Sequence, residues 1–148
     1  MKQTMLGLLA LMTAMLLSLN MSRASLSATA EVIDNEMETI AGGIALEVLD
    51  YIGSKPFDAA TAIAEVEDAN DLTAPPFSTG LSYAEADDID DFNQIQTHTL
   101  SAFNFDFEVD IAVEYVDENN PETTSSWQTF AKKVTVTINT DHLHKPVY

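Results

Sequence analysis

Residues Met5–Glu36 read MLGLLALMTAMLLSLNMSRASLSATAEVIDNE, and the fold turns on whether this segment is discarded or kept as helix. From Met5 to Leu19 only Thr13 and Ser18 are polar, and Lys2 sets a positive charge in front. That length is short for a bilayer span, which takes roughly 17–25 residues, and it suits the apolar region of a secretory signal. Ser22-Arg23-Ala24 before Ser25 places small residues where such a signal is cut. One reading is therefore a signal peptide ending at Ala24, followed by a small secreted or periplasmic binding module.

The residues that follow favour retention. Leu26, Ala30, Ile33, Met37, Ile40 and Ile44 recur at intervals of four and three, and the stripe continues through Val48 to Tyr51 or Ile52. Leu19 and Met12 lie seven and fourteen residues before Leu26 on the same grid, so one face runs in phase through the supposed cut. A discarded signal has no physical reason to share helical phase with what comes after it. The first proline is Pro56, and Gly53 can close the helix just before it. The pattern predicts a helix over about residues 3–53, roughly 75 Å long at 1.5 Å per residue. Such a helix exceeds what a chain of 148 residues can cover, so its apolar stripe must be buried by other molecules. The candidate residues for packing between helices are Leu8, Met12, Leu16, Leu19, Leu26, Ile33, Met37, Ile40 and Ile44. Gly42-Gly43 marks a bend, a close approach of another backbone, or a tolerated weak point.

Composition narrows the remaining classes. Aspartate and glutamate number 24 against 6 lysines and arginines, a formal charge of −18, which makes nucleic acid a poor partner. All the acids lie from Glu31 onward, so an apolar head precedes an acidic body. The chain has no cysteine, which removes disulfides and thiolate metal sites.

Beyond the helix, 55–94 reads as a connector with a short acidic helix at Ala59–Ala69 and an irregular stretch around Pro75-Pro76. Residues 95–148 read as an antiparallel β domain. Phe103, Phe105, Phe107, Val109, Ile111, Val113 and Tyr115 alternate with polar residues, the period of a half-buried strand. A turn over VDENNPETTSSW and a returning strand from Trp127 to Asn139 complete a hairpin, with Gln94–Leu100 as a third strand. A hairpin alone is marginal, so its apolar face should pack on the second half of the helix.

Sites are sparse. Asp87, Asp88, Asp90 and Asp91 in DDIDDFN can supply oxygen ligands to calcium, or form a solvated acidic turn. His142 and His144 can share a metal only if a third ligand joins them, and His98 reads as a surface residue. No nucleophile–base pair and no glycine-rich phosphate loop stands out, so no enzyme is expected and no cofactor beyond possible calcium.

An apolar half-helix (1–25), an amphipathic half-helix (26–54), a connector and a small β domain resemble the architecture of type IV pilins and pseudopilins. The resemblance rests on LLSLNMSRASLSATAEVIDNEMETIAGGIALEVLDYIGSKPFD, and on FDAAT, DDIDDFN and FAKKVTVTI in that order. The chain departs from that family's pattern in lacking a glutamate at the fifth position after any leader, its first acid being Glu31. The resemblance implies an α+β pilin-like fold: a long N-terminal helix with a small C-terminal antiparallel sheet. It also implies a structural subunit of an extracellular pilus-like filament, drawn from an inner-membrane pool. Its partners would be copies of itself, the membrane and a pilus or type II secretion-like assembly machinery. A minor pilin or pseudopilin that starts assembly is the alternative within the family.

Overall fold

In a computed structural model of the chain, the described residues are 2–77, 81–95, 98–102, 105–141 and 147. The layout is α+β: one long N-terminal helix and a four-stranded antiparallel sheet toward the C-terminus. Helix α1 spans Lys2–Gly53 without interruption. Its polar residues do not break it, because their hydroxyls bond within the helix. Thr13 Oγ1 donates to the carbonyls of Leu9 and Ala10, and Thr29 Oγ1 to that of Ser25. At the far end the amides of Ser54 and Lys55 return to the carbonyls of Asp50, Tyr51 and Ile52, using acceptors the helix leaves open.

The chain divides into two compact units, 1–37 and 38–148. In the first, α1 stands as a single helix whose large apolar side chains from Met5 to Ile33 are exposed. The second has its own core. It is built from Ala41, Ile44, Ala45, Val48 and Ile52 of α1, from Phe107, Val109, Ile111, Val113 and Tyr115 of the sheet, and from Leu72, Phe77, Phe92 and Ile95 of the connector. The helix thus contributes to the same core as the apolar face of the sheet, as the alternating pattern implied.

The sheet is organised about β2 (Phe105–Asp117), preceded by β1 (His98–Ala102) and followed by β3 (Asn120–Thr124) and β4 (Lys132–Asn139). Strand β1 pairs with the first residues of β2, from Ala102 opposite Phe105 to His98 opposite Val109. Strand β4 pairs with β2 from Tyr115 opposite Lys132 to Glu108 opposite Asn139. Burial along β2 alternates strictly from Phe107 to Tyr115, as expected from period two. Phe103 of the same pattern lies outside the described residues.

Three boundaries differ from expectation. The third strand begins at His98 rather than Gln94, residues 96 and 97 lying outside the described set. The stretch read as a single turn holds a second hairpin, because Asp117 Oδ1 accepts the amides of Asn119 and Asn120 and reverses the chain at once. The returning strand starts at Lys132, and Trp127 is 77% exposed.

The connector is tied down by side chains. Helix α2 (Ala59–Ile63) opens on a reciprocal cap, with Asp58 Oδ1 accepting the Ala60 amide and Thr61 Oγ1 accepting the Asp58 amide. It is shorter than predicted because the backbone is already extended at Ala64. Tyr51 of α1 stacks on Tyr83 at 5.1 Å, and Phe92 meets both rings edge-on. Gln94 adopts φ 48°, in the left-handed region, which lets its amide reach the Ile111 carbonyl at 2.9 Å. Its neighbour Asn93 accepts the Val113 amide through Oδ1 at 3.1 Å.

Candidate functional site

The most structured polar group in unit 38–148 surrounds Lys132. This residue opens β4 opposite Tyr115 and shares parity with Val136 and Ile138, so the strand directs its side chain inward. That side chain is 1% exposed. Its ammonium donates to the Phe57 carbonyl at 2.6 Å, to Asp90 Oδ1 at 2.6 Å and to Asp58 Oδ2 at 3.3 Å. Three partners match the three hydrogens of an ammonium. The rings of Phe57, Tyr115 and Phe77 lie 4.4, 5.2 and 5.3 Å from Nζ, which places the charge against aromatic faces and away from water.

Asp58 binds on every side. Besides capping α2, it accepts the Thr73 amide at 2.9 Å and the Thr73 hydroxyl at 3.2 Å. Burial alone would raise its pKa, but the amides of Ala60 and Thr73 and the Lys132 ammonium outweigh that and hold it below the usual carboxylate value. The Tyr115 hydroxyl donates to the Thr73 carbonyl at 3.0 Å, and burial with Asp58 and Asp90 nearby pushes its pKa up. Asp88 is buried beside Asp90. Desolvation first, then the charge of Asp90 and a hydrogen bond to it, raise its pKa to about 6. Among the described residues no buried side-chain nitrogen or oxygen lacks a partner. The arrangement joins the α2 cap, the 3₁₀ turn Asp90–Phe92 and the sheet through one cation.

The acidic motif is thus divided by the fold. Asp88 and Asp90 are buried, whereas Asp87 is exposed and Asp91 half-buried. Asp90 is engaged by Lys132, Asp88 Oδ1 accepts the Asp91 amide, and Asp91 Oδ2 accepts the Asp87 amide. Among the described residues no three acids or histidines group as metal ligands. His142 and His144 lie outside them, as does the side chain of His98.

The helix residues singled out for packing fall into two sets. Leu8, Met12, Leu16, Leu19, Leu26 and Ile33 are exposed, and Ile40 is half-buried. Ile44 is 7% exposed, so it belongs to the core of unit 38–148 and offers little to a second helix, and Met37, the last residue of the first unit, is 4% exposed. The site around Lys132 was missed in the sequence. Its signal was a lysine on the inward parity of the strand Lys132–Ile138, where only apolar side chains are expected.

The two perturbed carboxyls act on stability with opposite sign. Folding strengthens proton binding by Asp88, so its contribution is full below 3.8 and is lost as pH rises to about 6. Asp58 contributes above the unfolded value of 3.8 and loses that contribution as pH falls through its lower folded value. The two contributions together are therefore largest near pH 3.8, where the windows meet. Asp88→Asn should remove the slope between pH 3.8 and about 6 and raise stability at higher pH, by about 1–2 kcal/mol after allowance for screening. Urea titrations at several pH values read this directly. An unchanged slope in the variant would show that Asp88 is not its source.

No protein-family model, curated protein or solved structure matches this chain.

Proposed function

We propose that the chain is the structural subunit of a pilus-like filament on the cell surface, held in the inner membrane through α1 before assembly. One observation carries this reading. Fourteen large apolar side chains from Met5 to Ile33 are exposed on a helix long and apolar enough to cross a membrane. Burying each is worth about 1.5–3 kcal/mol, so tens of kcal/mol stay unrealised until lipid or neighbouring helices cover them. Unit 38–148, by contrast, already has a satisfied core and an acidic exterior suited to solvent. The positive-inside rule puts Lys2 on the cytoplasmic side in the membrane state. Negative-stain microscopy of sheared surface material should show fibres that contain this chain. Recovery only as a soluble monomer would overturn the proposal. Dominance in that sheared material separates a major subunit from a minor pilin or pseudopilin.

A second reading draws on the same exposure. Since the side chains from Met5 to Ile33 add nothing to the buried core, cleavage after Ala24 would leave that core intact as a secreted module. Its mature chain would start at Ser25, and N-terminal sequencing of the native protein distinguishes the two.

Gly42 and Gly43 offer a finer test. A methyl group at either would meet nothing within 4 Å, so the subunit itself has no steric need for glycine there. Gly43→Ala should stabilise the folded chain by about 0.5–1 kcal/mol through helix propensity. If neighbouring helices use that bare backbone for close approach, the same variant should yield fewer fibres. A more stable subunit with undiminished fibres would show that the glycine has no role in packing.

A further inference from the structure

We propose that the ion pair between Lys132 and Asp90 matures into a covalent bond, an amide joining Nζ to the Asp90 side-chain carbonyl carbon. The reaction class is intramolecular condensation, and every reacting group lies on this chain. Nζ and Asp90 Oδ1 are 2.6 Å apart, both side chains are almost fully buried, and three aromatic rings wall the ammonium from water. Holding amine and carboxyl in contact inside a dry site replaces a bimolecular encounter with a unimolecular one, worth effective molarities of about 10⁵–10⁸ M.

The neighbouring carboxyls supply the proton traffic. Asp58 Oδ2 sits 3.3 Å from Nζ and is the carboxylate placed to take a proton from the ammonium as the amine attacks. The freed nitrogen lone pair attacks the Asp90 carbonyl carbon, forming the C–N bond. Asp88, which holds a proton up to about pH 6 and is hydrogen-bonded to Asp90, gives that proton to the departing oxygen as the C–O bond breaks. The second proton on nitrogen passes to Asp88 and the proton held by Asp58 joins the departing hydroxide, so one Asp90 oxygen leaves as water and both carboxyls return to their starting protonation. No oxidant, nucleotide or metal enters the balance.

The bond would link β4 to the 3₁₀ turn Asp90–Phe92, closing a loop that contains most of the sheet. It acts within one subunit and is independent of how subunits associate.

Mass spectrometry of the purified full-length chain tests the proposal. After its N-terminus is established by sequencing, the intact mass should fall short of the unmodified chain by one water. A protease digest should contain a branched peptide joining Lys132 to Asp90. Lys132→Arg keeps the cation but cannot form the bond, and should restore the full mass. Asp88→Asn is expected to fold, and should lower the linked fraction at least tenfold at a fixed time after refolding. A wild-type digest with only linear peptides through Lys132 and Asp90 overturns the proposal, whatever the variants do. A branch at Asp58 instead overturns the assignment of Asp90 as the acceptor.

Discussion

Lys132→Met should cost unit 38–148 about 3–5 kcal/mol, the usual loss when one partner of a buried ion pair is removed. Methionine keeps the length and apolar stem, so the change isolates the charge. Without the ammonium, Asp58 and Asp90 face one another beneath Phe57, Phe77 and Tyr115 with no cation to balance them. The Phe57 carbonyl also loses its lysine donor. A domain of this size has about 5–15 kcal/mol in total, so a fifth or more of its stability is at stake. Urea unfolding in detergent micelles, followed by the near-ultraviolet signal of the buried Tyr115, gives the loss. Neutralising both carboxylates in that background, by Asp58→Asn with Asp90→Asn, should recover much of it. No recovery would mean that the damage lies in packing and not in uncompensated charge.

Met12→Arg should shift the chain out of the membrane by roughly a hundredfold, since a central arginine costs about 3 kcal/mol on insertion and 1.4 kcal/mol is a factor of ten. Met12 is 63% exposed in the middle of the apolar stretch, and nothing in unit 38–148 depends on it. Leu26→Arg is the matched control. It lies near Arg23, at the polar end of the stretch, where a long cationic side chain can reach water. Carbonate extraction of membranes should leave wild type and Leu26→Arg in the pellet and release Met12→Arg. Fibres should disappear with Met12→Arg as well, because a charge would then enter the packed helices. Equal retention of all three chains would show that the segment around Met12 does not lie in the hydrocarbon.

The helix was legible because its signal is long and local. The four-and-three spacing from Leu26 to Ile52 repeats often enough to outweigh Gly42-Gly43, and Pro56 fixes its end. Strand β2 was legible for a similar reason, as period two over Phe105–Tyr115 fits nothing else. Strand β3 was not. Asn120–Thr124 is exposed throughout, so it carries no apolar alternation, and Pro121 argues against a strand. The site around Lys132 was the least accessible. Its members Phe57, Asp58, Thr73, Asp90 and Tyr115 are scattered along the chain, and only the folded sheet makes them neighbours. DDIDDFN looked uniform as sequence, yet the 3₁₀ turn sends Asp90 to a lysine and leaves Asp87 in solvent.

The short contact of Asn93 and Gln94 with β2 bears on fidelity of polymerisation. In the filament proposed above, local concentration would be high, and there a bare strand can recruit a strand from the next molecule. Such growth would compete with ordered helix packing and end in amyloid-like fibres of the wrong kind. Between the stretches paired with β1 and β3, the Asn93 side chain and the Gln94 amide occupy the β2 groups at Val113 and Ile111 that an intruding strand would need. On the far side of β4, Val147 exchanges both backbone hydrogen bonds with Ile138 and closes that route as well. The middle of β2 and the outer edge of β4 at Ile138 are thereby made poor templates, which in the filament proposed above would leave joining to α1.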